Sequence, residues 1–62
     1  MRRPVQQLPS GARFIGPDGR EYEVTMSASE HPRGNVEVRD VATGEDAYFA
    51  YTRPVDVEVL SE

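Results

Sequence analysis

The segment GPDGREYEVTM, residues 16–26, decides the fold of this chain. Its first four residues favour a tight turn, because Pro17 presets φ at the second position and Gly19 tolerates a left-handed backbone at the fourth. Apolar and polar residues then alternate to the end of the segment, which is typical of a strand with one buried and one wet face. The apolar members are Tyr22, Val24 and Met26. The segment therefore predicts a hairpin that joins a short strand at residues 12–15 to a longer amphipathic strand.

A second hairpin is predicted in the middle of the chain. Residues 35–41 begin with alternating valines, but Asp40 and Val41 then fall out of phase, which predicts a β-bulge at that point. The turn at residues 42–45 follows, with Gly44 in the left-handed conformation that closes many hairpins. Two further short strands are therefore expected on either side of this turn.

The strand after the second turn spans residues 46–51 and has two faces of similar character. The more apolar face consists of Ala47, Phe49 and Tyr51. This assignment leaves Tyr48 towards solvent or a partner, whereas the opposite one would bury Tyr48 and Ala50, and the sequence leaves both open. Residues 52–54 break the ladder, and the alternating valines of residues 55–60 predict a last strand.

The domain organisation follows from length and proline placement. Residues 1–9 show no sustained period, and Pro4 and Pro9 oppose both helix and ladder pairing, so we expect a flexible N-terminal arm. Residues 10–62 then form a single small β-barrel domain. The predicted fold class is all-β, with five short antiparallel strands in a small, partly open barrel.

The predicted order of elements resembles that of the small SH3-like barrels over residues 8–60. A long polar connection at residues 27–34 separates the second and third strands. A tight turn follows Val41, where those barrels have their distal hairpin, and residues 51–54 stand where they have a short 3₁₀ turn. Unlike an SH3 domain, the chain has only a tight turn at residues 16–19 and has no Trp for an aromatic ligand groove. The resemblance implies a fold and carries no function with it.

Composition excludes several kinds of protein. There is no Cys and one His, which excludes a disulfide framework and a zinc site, and no loop offers the closely spaced oxygens of a calcium site. We therefore expect no metal and no cofactor. No stretch approaches the roughly 18 apolar residues of a membrane span, so we expect a cytoplasmic protein without membrane contact. A chain this short buries only about 60% of its unfolded surface, which favours stabilisation by association, as a homodimer or on a larger partner.

The polar loop at residues 27–34 contains the one candidate for acid-base chemistry. Histidine is the residue type that titrates near neutral pH, and Glu30 lies beside His31. Adjacent loop side chains without an oriented nucleophile do not make a catalytic site, so we interpret His31 as a solvated loop residue and predict that the protein is not an enzyme. The spacing of Ser27 and Glu30 imitates a helix capping box, but Pro32 would break a helix here.

Charge is unevenly distributed, and its distribution predicts a binding face. The net charge is -4, of which residues 1–34 carry +1 and residues 35–62 carry -5. Tyrosine and arginine within this acidic half are residue types enriched at interface hot spots. The predicted partner-binding residues are Tyr48, Tyr51, Arg53, Glu45, Asp46, Asp56 and Glu58. We predict a protein-binding module, an accessory or regulatory subunit, whose partner has a basic surface, because complementary fields steer encounter.

Two alternatives use charge differently. The first is a small barrel that binds nucleic acid through basic residues of the first half. Those residues are Arg2, Arg3, Arg13, Arg20 and Arg33. Intervening acids such as Glu21 and Glu23 oppose phosphate, which makes nucleic acid the weaker prediction. The second alternative is an acidic mimic of nucleic acid that inhibits a basic protein.

Overall fold

A computed structural model describes all residues, 1–62. The chain forms one antiparallel sheet of six strands: β1 (Arg2–Pro4), β2 (Arg13–Ile15), β3 (Glu21–Met26), β4 (Val36–Asp40), β5 (Asp46–Phe49) and β6 (Asp56–Ser61). The strands lie in the order β1-β6-β2-β3-β4-β5, so β1 and β5 are edges and the sheet is open. The one helical element, a 3₁₀ turn at Val5–Gln7, is too short to cross a membrane. The predicted all-β class is confirmed, and the open sheet is compatible with a small barrel.

The N-terminal segment, predicted as an arm at residues 1–9, takes part in the sheet. β1 pairs with β6, and both Val5 and Leu8 are fully buried. Pro4 lies in an edge strand, where a residue without an N–H group is tolerated. The five predicted strands are present, β1 adds a sixth, and this segment shares one core with residues 10–62.

The core lies on the inner face of the sheet. Its members are Val5, Leu8, Ala12, Phe14, Tyr22, Val24, Val36, Val38 and Val57. Alternate residues of β3 and β4 supply four of its nine members, because successive side chains of a strand point to opposite faces. The Phe14 ring lies 5.7 Å from that of Tyr22 and 5.8 Å from that of Phe49 between centroids. This aromatic cluster packs β5 against the first hairpin.

The predicted turn at residues 16–19 is confirmed. Gly19 has a φ of +82°, in the left-handed region that favours glycine. Asp18 closes the turn, since its Oδ1 accepts the Arg20 N–H at 3.0 Å and its Oδ2 accepts the Tyr22 hydroxyl at 2.6 Å. The Tyr22 hydrogen bond, followed by that of Arg20, lowers the pKa of Asp18. The same Asp18 bond raises the pKa of Tyr22.

Two expectations about register are wrong. The pairing of β3 with β4 shifts between Val24 and Met26, so Met26 lies opposite Glu37 and is 36% exposed instead of joining the core. β4, by contrast, continues in phase to Asp40, which is buried, and its pairing with β5 contains no bulge at Asp40 and Val41. The sequence does not predict this, because a carboxylate at an inward position is tolerated only where it finds hydrogen-bond partners.

The polar loop at residues 27–34 forms one turn with capping-box hydrogen bonds, although no helix follows. The Ser27 carbonyl accepts the N–H groups of Glu30 and His31, each at 3.1 Å. Glu30 Oε1 in return accepts the Ser27 hydroxyl at 3.0 Å and the Ser27 N–H at 3.4 Å, together with the Ser10 hydroxyl. These bonds, that of Ser10 first, lower the pKa of Glu30. The loop prediction is confirmed, and Ser10 attaches the loop to the chain that enters β2.

β5 ends at Phe49, earlier than predicted. Phe49 packs against the core while Tyr48 faces outward with 66% of its surface exposed. The alternative with Tyr48 and Ala50 inside is therefore excluded. Tyr51, expected on the inner face, is instead 58% exposed because the strand stops before it.

Candidate functional site

The outward side of β5 is a free strand edge. β5 pairs with β4 on one side and has no neighbour on the other. Asp46, Ala47 and Tyr48 are all exposed, so neither face of this strand is covered over these residues. An uncovered edge presents unpaired backbone N–H and C=O groups, which template the pairing of another strand. We refer to this outward side of Asp46–Phe49 as the β5 edge.

Hydrogen-bond parity identifies which backbone groups face outward. The Asp40 N–H donates to the Glu45 carbonyl at 2.8 Å, which makes these two residues a hydrogen-bonded pair. Bonded and non-bonded pairs alternate along an antiparallel ladder. Ala47 therefore bonds to β4, whereas the N–H and C=O groups of Asp46 and Tyr48 point away from it. Each of these two residues thus offers one N–H donor and one C=O acceptor to an incoming strand.

The opposite edge of the sheet, β1, is blocked by proline. The Val5 N–H donates to the Val55 carbonyl at 2.8 Å, so the same parity turns Arg2 and Pro4 outward. Pro4 has no N–H group, and proline at an outward position is one of the ways in which proteins protect an edge. Of the two edges, only β5 offers an N–H group at both of its outward positions.

Asp40 positions the start of β5. Its side chain is 6% exposed, and its Oδ1 accepts the N–H groups of Ala42 at 2.9 Å and Thr43 at 3.2 Å. The Gly44 N–H also donates to the Asp40 carbonyl at 2.8 Å. The second carboxylate oxygen lies 3.4 Å from an Arg20 guanidinium nitrogen. The buried Asp40 carboxylate therefore fixes the predicted turn, and the turn sets the register of β5 against β4.

Tyr48 lies on the outer face of the β5 edge, opposite Glu37 of β4. Glu37 is itself engaged, since its carboxylate lies 3.0 Å from Nε2 of His31. The other ring nitrogen, Nδ1, accepts the Arg33 N–H at 3.0 Å, which assigns the neutral ring's proton to Nε2. His31 is 13% exposed through its side chain, so it is a bonded loop residue and not the solvated one expected from the sequence.

Tyr51 and Arg53 lie in the connection that leaves the β5 edge. The Tyr51 N–H donates to Asn35 Oδ1 at 2.9 Å, and an added Cβ on Gly34 would lie 3.6 Å from Tyr51 Cβ. The Arg53 N–H donates to the Ala50 carbonyl at 3.1 Å, which turns the chain back at this point. Two loops therefore meet at the carboxyl end of β5, where Tyr51 is exposed.

The four predicted acids occupy two separate parts of the sheet. Glu45 and Asp46 lie at the amino end of β5, whereas Asp56 and Glu58 lie on β6, which is separated from β5 by three strands. Asp46 Oδ1 is 3.4 Å from Arg39 Nε. Glu58 pairs with the N-terminal amine, whose hydrogen bond lowers the pKa of Glu58. Glu45 and Asp56 make no ion pair, so they are the acids most available to a partner.

A row of alternating charge crosses the outer face of four strands. Arg13 stands opposite Glu23, Glu23 opposite Arg39, and Arg39 opposite Asp46. The end contacts are 3.8 Å between Arg13 and Glu23 and 3.4 Å between Arg39 and Asp46. Exposed pairs of this kind contribute about 0–1 kcal/mol each. Their main effect is on register, because a one-residue slip would break every cross-strand pair.

Most of the arginines considered for nucleic acid are already paired with carboxylates. Arg3 pairs with Glu62, Arg13 with Glu21 and Glu23, and Arg20 with Asp40. Arg2 donates to the Asp56 carbonyl at 3.1 Å. Arg33 and Arg53, one in each loop at the carboxyl end of β5, make none of the ion pairs in the structure.

The surface holds no pocket and no group of three or more side chains suited to a metal ion. The chain matches no protein-family model, no curated protein and no solved structure. The candidate site is therefore defined by the geometry of the chain's own residues, and its centre is the β5 edge.

Sequence reasoning missed three contributors to this site. Asp40 falls out of phase in the predicted alternation, although Asp before a turn that contains Gly is a usual residue to accept the turn's N–H groups. Asn35 gives no comparable signal, because its acceptor role depends on Tyr51, 16 residues later. The contact of His31 with Glu37 depends likewise on how the loop folds over β4.

Proposed function

We propose that this protein is a non-enzymatic protein-binding module, an accessory or regulatory subunit, that accepts an extended segment of its partner as an added strand along the β5 edge. The observation that carries the proposal is the pair of outward backbone positions at Asp46 and Tyr48 on an uncovered strand. In strand addition, main-chain hydrogen bonds supply affinity and alternate side chains supply specificity.

Tyr48 is the side chain best placed to give the added strand specificity. Its ring is 66% exposed on the outer face, beside the acids Asp46 and Glu37. A tyrosine contributes a large, rigid contact area with little loss of side-chain entropy, which is why it recurs at hot spots. Tyr51 extends the exposed aromatic surface beyond the carboxyl end of the strand.

Charge supports a partner with a basic surface. Residues 35–62 carry -5, and Glu45 and Asp46 bring part of this charge to the β5 edge. Asp56 and Glu58, on β6, act at longer range by steering a basic partner towards the protein. The pairing of Arg3, Arg13 and Arg20 with carboxylates supports protein binding over nucleic-acid binding.

Proline scanning of the two edges tests the proposal. Partners are captured from the native host on the immobilised protein and identified by mass spectrometry, and capture is repeated with Tyr48→Pro, which removes an outward N–H without breaking a bond to β4. Arg2→Pro makes the same change on the blocked edge and is the matched control. We expect Tyr48→Pro to abolish capture and Arg2→Pro to leave it intact, with both variants folded by circular dichroism.

Side-chain variants separate the contribution of the backbone edge from that of the exposed side chains. Tyr48→Ala combined with Arg53→Ala should weaken the complex without unfolding the domain, because the backbone edge remains. If the wild type and Tyr48→Pro captured equal amounts of the partner, the β5 edge would be excluded as the binding site. Binding to single-stranded DNA that falls steeply with salt and requires Arg33 would favour the nucleic-acid alternative instead.

A further inference from the structure

The β5 edge has opposite charge at its two ends. Glu45 and Asp46 lie at the amino end, and Glu45 is free of ion pairs. Arg53 and Arg33 lie in the two loops that meet at the carboxyl end, and neither pairs with a carboxylate. An antiparallel neighbour therefore needs acids near its own amino end and bases near its carboxyl end.

The chain's own β5 meets this requirement. Read from Glu45 to Arg53, its sequence begins with two acids and ends with a base. In an antiparallel pair of identical strands, the acidic end of each copy lies beside the basic end of the other, so the edge is complementary to itself. We propose that the β5 edges of two copies pair antiparallel about a two-fold axis and join two six-stranded sheets into one continuous sheet.

Parity and charge together select the register. Hydrogen-bonded pairs across the interface must form between the outward residues, Asp46 and Tyr48. Pairing Asp46 with its own copy would place like charges opposite each other, which is unfavourable. Pairing Tyr48 with its copy would match Asp46 with Ala50, beyond the end of β5. The remaining register pairs Asp46 of each copy with Tyr48 of the other.

This register places Ala47 on the two-fold axis. Ala47 then faces its own copy as a non-hydrogen-bonded pair, the position where antiparallel Cα atoms approach most closely, to about 4.5 Å. Ala47 has the smallest side chain of the strand and is exposed in the single chain. The interface is closed and isologous, so pairing stops at two copies. It uses the β5 edge that the proposed function assigns to a partner, so dimer and complex compete.

The paired segment of the dimer is short, so the test requires a high protein concentration. β5 contributes only four residues, and small interfaces of this kind are weak. Sedimentation of the wild type up to about 1 mM protein should show a monomer–dimer equilibrium. Tyr48→Pro should remove the dimer, while the matched Arg2→Pro keeps it. A monomer at the highest concentration, or a dimer unaffected by Tyr48→Pro, would overturn the inference.

Charge reversal at one end tests the complementarity itself. Glu45→Arg removes the net negative charge of the amino end, where Asp46 remains, and Arg53→Glu removes the net positive charge of the carboxyl end, where Arg33 remains. Each variant alone should therefore dimerise less than the wild type. An equimolar mixture should recover dimers, which contain one copy of each variant and are detected by isotope labelling of one of them. A mixture that associates no better than its components contradicts the proposed pairing.

The outcomes distinguish this inference from the proposed function. If the wild type stays monomeric and Tyr48→Pro abolishes partner capture, the dimer is refuted and the strand-addition function is supported. If the partner binds Tyr48→Pro as well as it binds the wild type, while Tyr48→Pro no longer dimerises, the strand-addition function is refuted and the dimer is supported.

Discussion

Asp40→Ala should be among the most destabilising single changes outside the apolar core. Asp40 is a buried residue whose carboxylate accepts two turn N–H groups, those of Ala42 and Thr43, which alanine leaves without an acceptor. Loss of a comparable side-chain cap costs about 0.5–2 kcal/mol. Ala42 and Thr43 are exposed residues, so water replaces part of the lost hydrogen bonding and we expect a loss of about 1–2 kcal/mol.

This loss is large for so small a protein. At about 0.05–0.15 kcal/mol per residue, a 62-residue chain has a free energy of unfolding of roughly 3–9 kcal/mol. With a urea dependence near 1 kcal/mol per molar, the unfolding midpoint of Asp40→Ala should fall by about 1–2 M. Far-ultraviolet circular dichroism follows the transition, since the chain has no Trp.

Two further variants separate the turn hydrogen bonds of Asp40 from its contact with Arg20 as the cause of this loss. Asp40→Asn keeps an oxygen acceptor for both N–H groups and should lose less than about 1 kcal/mol. Arg20→Ala removes only the 3.4 Å contact of a guanidinium whose side chain is 62% exposed, worth about 0–1 kcal/mol. An Asp40→Asn midpoint as low as that of Asp40→Ala would refute the role of the turn hydrogen bonds, as would an Asp40→Ala midpoint close to the wild type.

Three other predictions concern the turn, the tyrosine and the loop. Gly16→Ala should cost about 1–3 kcal/mol, because its Cβ would lie 2.8 Å from Tyr22 Cε2; thermal melts should rank it below the wild type, and an unchanged midpoint would contradict the close approach. The Asp18 hydrogen bond raises the pKa of Tyr22 above 10.0, so its contribution to stability is complete below pH 10.0 and is lost as pH rises through the folded pKa. In a Tyr48→Phe, Tyr51→Phe background, the midpoint of the rise in phenolate absorbance should therefore lie above pH 10.0, and a midpoint at or below pH 10.0 counts against the bond. Ser10 and Ser27 lower the pKa of Glu30 below 4.5, so this stability is present above pH 4.5 and is lost as pH falls through the folded pKa. Glu30→Gln should reduce the fall in urea midpoint on acidification, whereas an unchanged acid profile would exclude this contribution.

The parts of the fold that were predictable depend on local chemistry. The turn at residues 16–19 and the left-handed Gly44 follow from glycine and proline preferences that act within four residues. The alternation of Val36 and Val38 depends on one buried face, so it survives any tertiary arrangement that covers this face. These features therefore appear in the structure as the sequence predicts them.

The parts that were not predictable depend on which strands become neighbours. Pro4 fits in β1 only because β1 is an edge and Pro4 faces away from β6, which the order of strands decides. Met26 is turned outward by a register shift against β4 that leaves no mark on the alternation of β3. The sequence names Asp46 and Tyr48 as binding residues but does not predict the backbone edge between them, since this edge is open only when no strand lies beyond β5.

Amide hydrogen exchange at the β5 edge tests the central claim most directly. Exchange is measured by nuclear magnetic resonance for the free protein and for its complex with a captured partner. At a concentration where the free protein is monomeric, the N–H groups of Asp46 and Tyr48 should exchange fast in the free protein and slowly in the complex. The N–H group of Ala47, already bonded to β4, should change little. Unchanged exchange at Asp46 and Tyr48, with new protection elsewhere on the surface, would contradict the account.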